Sequence, residues 1–247
     1  MKFIHCLLLA STLCPVSARA VQTPDAKPPT AAVQEKKPPF ESEIVAFEEA
    51  DKRMPPPTGA VLFLGSSSIR LWTTVAMDFP ELKVINRGFG GSQIADSVRY
   101  APRIVLPYKP RLIVFYAGTN DINAGKSPEA VLKDFETLAE IVHKALPNTR
   151  MLFISMNPAV SRWSKEPQFV EANKLIEDYI NKPENKNLHL YYIDTHSKLV
   201  SDKGEARPEI LRADGLHLNA KGYELWKSIL RPKILALANA DEGDPVL

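Results

Sequence analysis

The chain has 247 residues, with 31 Lys and Arg against 29 Asp and Glu and a formal net charge of +2. That balance leaves no basic stripe of the kind that tracks a nucleic-acid backbone, and no charged patch suited to an anionic membrane surface. The only two cysteines are Cys6 and Cys14, so disulfide scaffolds, thiol catalysis and cysteine-ligated metals are excluded beyond the first residues.

Residues 1–20 read as a signal peptide: Lys2 gives a charged start, 4–16 is an apolar run, and Ala18-Arg19-Ala20 is a small-x-small cleavage site. The run is too short to span a bilayer as a mature helix, and Ser-Thr-Leu before Cys14 fits a lipid-attachment box poorly. Cleavage after Ala20 would leave a thiol-free, nearly neutral protein exported to the periplasm or the medium. Residues 21–39 are rich in Pro, Ala, Lys, Gln and Thr, a composition that cannot offset ordering entropy and predicts a flexible linker. Residues 40–240 suit one domain with one substantial core, and 241–247 read as a flexible tail.

Within the domain, short apolar runs alternate with longer amphipathic stretches. A helix over 41–52 precedes strands at 60–64 and 83–86, and a helix over 94–106 precedes a strand at 112–117. Ser127 and Pro128 supply a cap and an N1 proline for a helix running to about 146, followed by a strand at 151–156. A helix over 168–181, a strand at 188–193 and a final helix over 220–238 complete the pattern. Several strands lack polar alternation, as strands buried on both faces of a parallel sheet do. The expected fold is a three-layer α/β/α sandwich on a five-stranded parallel, flavodoxin-like sheet, with ligands beyond the carboxyl ends of the strands.

Four blocks carry chemistry. Gly65-Ser66-Ser67 follows the first strand, where a serine hydroxyl can project into the crevice, although Ser66, Ser67 and Ser68 would equally cap a helix. Asn86-Arg-Gly-Phe-Gly-Gly91 follows the second, with backbone N–H groups free at the next helix N-terminus. Its spacing is not that of a dinucleotide fingerprint. Gly118-Thr119-Asn120-Asp121 follows the third strand, where an asparagine amide can face developing negative charge or simply form a turn. Asp214-Gly-Leu-His217 sets a carboxylate and an imidazole three positions apart in one loop, so the acid can fix the base's tautomer.

Together these blocks resemble the SGNH hydrolases, the superfamily of GDSL esterases and lipases, over roughly residues 58–232. The resemblance implies Ser67 as nucleophile, His217 as base and Asp214 as triad acid, with oxyanion donors from Ser67, Gly91 and Asn120. Ser66 stands where the family usually has aspartate, as in some acetylhydrolase-like branches. A classical α/β-hydrolase is disfavoured, because Gly65-Ser-Ser67-Ser-Ile69 is not G-x-S-x-G and the acid and base share one loop.

The expected reaction is hydrolysis of short-chain, acetyl-type esters, with carbohydrate esters as candidate substrates, through an acyl-enzyme and without metal or organic cofactor. A histidine base also predicts activity falling as the pH drops through roughly 6–7. The rival readings are a lysophospholipase or thioesterase for longer chains, and an inactive carbohydrate-binding module on the same fold. Arg70, Trp72, Arg162 and Trp163 are candidates to line the substrate cleft. Asp194-Thr195-His196 is a second acid–base pair without a serine turn, and His143 and His189 read as structural or surface residues.

Overall fold

A computed structural model describes residues 38–240. The expected signal peptide, residues 21–37 of the expected linker and the tail from 241 lie outside the described residues. Helix α1 (Glu41–Arg53) leads into β1 (Val61–Gly65), the single-turn helices α2 (Ser67–Arg70) and α3 (Val75–Asp78), and β2 (Val84–Gly88). Then come α4 (Ile94–Ile104), β3 (Leu112–Tyr116), the short α5 (Thr119–Asn123), α6 (Pro128–Ala145) and β4 (Arg150–Ile154). The chain ends through α7 (Glu166–Ile180), β5 (Leu190–Ile193), α8 (His196–Leu199) and α9 (Ala220–Asn239).

All strand pairs are parallel, in the order β2-β1-β3-β4-β5. The direction of winding reverses between β1 and β3, and a crevice opens beyond the carboxyl ends of the strands at such a switch point. Every residue of β1, β3 and β4 is buried, which accounts for their uninterrupted apolar sequence. Alternate side chains serve two cores. Leu62, Leu64, Ile113, Phe115 and Phe153 pack toward α1, α4, α6 and α7. Val61, Phe63, Val114, Leu152 and Ile154 pack toward α2, α3 and α9.

The predicted elements recur with displaced ends. One such displacement is in the last strand, predicted from 188 but beginning at Leu190. A 3-10 turn, Pro183–Leu188, precedes it, and His189 closes that turn in the left-handed region at φ 52°. Helix α6 starts as predicted: Ser127 Oγ accepts from the Ala130 amide at 3.3 Å, and Pro128 occupies N1. The Asn219 side chain begins α9, accepting from Gly222 N at 3.1 Å and donating to the Leu211 carbonyl at 2.9 Å. The last helix is thereby tied to the loop that bears His217.

Two glycines, paired in register at the ends of β1 and β2, bring α2 down onto the sheet. Gly65 sits at φ +142°, and a Cβ there would lie 2.0 Å from the Tyr116 carbonyl oxygen. A Cβ on Gly88 would lie 2.2 Å from the Arg70 amide nitrogen. Both contacts are with backbone, so a side chain on Gly65 would part the end of β1 from β3, and one on Gly88 would lift α2, and Ser67 with it, off the strand ends. Asn86 fastens the same junction, donating to the Ile69 carbonyl at 2.8 Å and accepting from Gly88 N at 2.9 Å.

Trp72 corrects one sequence expectation. It is 1% exposed, packed among Phe63, Phe79, Tyr223 and Trp226, and its indole N–H donates to Asp78 Oδ2 at 2.7 Å. It belongs to the core between α2, α3 and α9 and lines no cleft. An indole with its polar atom paired is well suited to such a position.

Candidate active site

Ser67 is the first residue of α2, directly beyond β1, and is half-buried. The turn before it is held by the Ser66 amide, which donates to the Tyr116 carbonyl at 3.0 Å. From the other side, the Tyr223 hydroxyl of α9 donates to the Ser68 carbonyl at 2.8 Å. The helix-capping reading of this serine run fails, because the N-cap residue Ser66 makes no side-chain cap bond. The Ser67 side chain instead meets His217, with Oγ and Nε2 2.8 Å apart.

His217 is carried by a tight turn. Leu211 and Leu218 form an antiparallel bridge, and the Arg212 amide donates to the His217 carbonyl at 2.7 Å. Inside the turn, Asp214 Oδ1 accepts from the amides of Leu216 at 2.9 Å and His217 at 3.0 Å. Its Oδ2 lies 2.7 Å from His217 Nδ1. The hydrogen bond with His217, supported by the two amides, pulls the Asp214 carboxyl down to about 2. An ionised carboxylate only accepts, so a neutral imidazole here carries its proton on Nδ1 and turns the Nε2 lone pair toward the Ser67 hydroxyl.

Asn120 lies in the first turn of α5, beyond β3. Its Nδ2 donates to the Ser92 carbonyl at 3.0 Å, and its Oδ1 accepts from Arg162 Nη2 at 3.0 Å. Those two contacts fix which end of the amide is which. The second Nδ2 proton has no part in either. The neighbouring Asp121 is fully buried and accepts from Ile94 N at 3.2 Å and from Lys126 Nζ at 2.9 Å. Burial pushes its carboxyl up, against the pull of Lys126. Asp121 thus ties the β3 turn to the start of α4. Gly91 is exposed in the turn between β2 and α4. The Ser67 amide, at the first position of a helix, has no intrahelical carbonyl to meet.

The other sequence candidates fall in different places. Arg70 is exposed, and its guanidinium lies over Gly90, where an added Cβ would come within 2.6 Å of it. Trp163 is 37% exposed and lines a hollow of about 380 Å³ with Val160, Glu205 and Ala206. Val160 also touches the turn bearing His217, 3.3 Å from where a Gly215 Cβ would stand. Asp194 and His196 do not pair: Asp194 Oδ1 accepts from Ser197 N at 3.0 Å, whereas His196 Nε2 is hydrogen-bonded to Glu166. The contact of Arg162 with Asn120 and the bracing by Asp121 escaped the sequence reading. Neither leaves a local pattern, because each joins segments that only the fold brings together.

The profile of the GDSL-like Lipase/Acylhydrolase family matches residues 65–225, a span that includes all four blocks. A search of curated proteins returned no match. Among solved structures, a Bacteroides fragilis protein assigned as an acylhydrolase superposes with a TM-score of 0.69 at 20% identity, covering 83% of this chain and 100% of that one. A GDSL-like lipase from Bacteroides thetaiotaomicron gives 0.66 at 19% identity, with 78% and 98% covered. A mutant of an acetyl-xylooligosaccharide esterase from Geobacillus Stearmophilus gives 0.57 at 13% identity, with 78% and 100% covered. At these identities the likeness is one of fold.

Proposed function

Since the chain belongs to the GDSL-like lipase/acylhydrolase family, whose members hydrolyse esters, we propose that it is a serine esterase acting on short-chain, acetyl-type esters of carbohydrates. The observation that carries the reading is the unbroken line from Ser67 Oγ through both ring nitrogens of His217 to Asp214, with contacts of 2.8 and 2.7 Å.

On this reading His217 Nε2 takes the proton from Ser67 as Oγ attacks the ester carbonyl. The amides of Ser67 and Gly91 and the spare Nδ2 proton of Asn120 donate to the oxyanion that forms. Charge appears on the carbonyl oxygen only as the tetrahedral centre develops, so these donors favour the transition state over the bound ester. His217 then hands its proton to the departing alcohol. A water molecule, deprotonated by the same nitrogen, releases the acyl group from Ser67.

The leaving alcohol must lie on the imidazole side, where the proton is delivered. The Trp163 hollow borders the turn that carries His217, and an exposed indole is a face on which a sugar ring can stack. The fold likeness to an acetyl-xylooligosaccharide esterase points the same way. The residue 1–20 segment supports export, where acetylated polysaccharides would be met.

The test is kcat/KM for acetyl, octanoyl and palmitoyl esters of one alcohol. A decline with acyl length is expected, and a preference for octanoyl or longer would replace the acetylesterase reading with a lipase-like one. Trp163→Ala should raise KM for an acetylated xylooligosaccharide about tenfold, the loss of roughly one stacking contact. It should leave p-nitrophenyl acetate unaffected. Equal effects on both substrates would remove Trp163 from the alcohol site.

A further inference from the structure

The 3-10 segment Val160–Lys165 touches both halves of the site through two consecutive residues. The Ser161 amide donates to the Gly215 carbonyl at 3.1 Å, and the Ser161 hydroxyl reaches the same oxygen at 3.3 Å. The next residue, Arg162, leaves helical geometry at φ −122° and ψ 19°. That break sends its guanidinium the other way, to Asn120 Oδ1 at 3.0 Å. One residue thus holds the acid–base turn, and its neighbour holds the side chain expected to meet the oxyanion.

Resting on the esterase reading above, we propose that Arg162 is a positioning residue for the oxyanion hole, acting through Asn120. The argument begins with the amide. Flipping Asn120 would set Oδ1 against the Ser92 carbonyl and Nδ2 against a cation, two repulsions in place of two hydrogen bonds. Only the observed orientation keeps an N–H available for the developing oxyanion. The guanidinium also draws electron density toward Oδ1, which makes the Nδ2 protons better donors.

The placement is costly enough to call for a reason. Burial disfavours the Arg162 charge. Its Nη1 is buried without a hydrogen-bond partner among the described residues, and no carboxylate there forms an ion pair with it. A partly buried guanidinium kept without an acidic partner and aimed at a side-chain carbonyl contributes little to stability. It does give the amide one direction.

The test is a double-mutant cycle with Arg162→Met and Asn120→Ala, read on p-nitrophenyl acetate. Asn120→Ala alone should lower kcat by on the order of 10²–10³. Arg162→Met should lower it by about tenfold to a hundredfold with KM changed by less than about threefold, as expected for an interaction realised in the transition state. Arg162→Met should cost nothing more once Asn120 is alanine. Multiplicative losses in the double variant, or wild-type turnover in Arg162→Met, would overturn the proposal. If Arg162→Met does not fold, the cycle is run with Arg162→Lys. That variant keeps the charge but not the planar fork, and its partial loss should again vanish in the Asn120→Ala background. Ser67→Ala run alongside separates the two levels. Activity surviving there would sink the esterase reading, whereas an inactive Ser67→Ala beside a fully active Arg162→Met would sink the positioning role alone.

Discussion

Ser67→Ala should lower kcat on p-nitrophenyl acetate by on the order of 10⁴–10⁶ while the protein stays folded. The size follows from what the hydroxyl does. Without Oγ there is no acyl-enzyme, and His217 can act only as a base for water held in the wrong place. The residue left behind still has its amide, with Gly91 and Asn120 beside it. Some acceleration over the uncatalysed reaction should therefore remain, as donors and binding alone supply it. The stability cost should be small, within about 0.5 kcal/mol, because Oγ is half-buried and makes one side-chain contact, to His217. Two measurements belong together: the thermal midpoint, expected unchanged, and labelling by a fluorophosphonate, expected to vanish. Wild-type turnover with labelling lost would mean that Ser67 reacts with the probe but does not carry the reaction.

Ser67 also shows how far the sequence could be read. Taken alone, three serines after a strand predict a cap as readily as a nucleophile. The tie is broken by Gly91, Asn120 and His217, because four blocks in one order are far more specific than any one of them. The strands were legible for a simpler reason: β1, β3 and β4 are buried on both faces, and such strands have no polar positions to confuse the pattern. Of the single-turn helices that carry Ser67 and Asn120, the start of α2 was anticipated, but its extent and the whole of α5 were not legible. Four or five residues are too few to show a 3.6-residue period. Trp72 was misplaced because an aromatic near a strand end has the same local sequence whether it faces a crevice or α9. What decides is Trp226 and Tyr223, some 150 positions away in the sequence. Arg162 and Asn120 are separated by 42 positions, with β4 between them, and only the parallel topology brings them together.

The sharpest change expected in the acid–base turn is Asp214→Asn, and its direction follows from which oxygen does what. Oδ1 accepts from two amides, and Oδ2 faces His217 Nδ1. An asparagine must present its carbonyl to the two N–H donors, since an NH₂ there would oppose both. That forces the NH₂ onto Nδ1, which must then accept and cannot carry the proton. The imidazole proton moves to Nε2 and points at Ser67, so the base is present in the wrong tautomer. A fall in kcat of about 10³–10⁴ is expected, the scale set by loss of the correct tautomer in a triad. Charge stabilisation should be the smaller part, because the Asp214 side chain is 46% exposed and water screens it. The wild-type pH profile bounds the range in which Asp214 supports the turn. With its carboxyl held at about 2 against an ordinary 3.8, Asp214 has its depressed value only in the folded turn. Its support for that turn is therefore complete above pH 3.8 and is lost as the pH falls through about 2. Any acid limb of kcat/KM above pH 4 thus comes from a group other than Asp214. The tautomer itself can be read from the ¹⁵N shifts of the His217 ring at a pH where it is neutral. Nδ1–H is expected in the wild type and Nε2–H in Asp214→Asn. An unchanged Nδ1–H in the variant, with the fall in kcat still present, would assign the loss to charge and not to the tautomer.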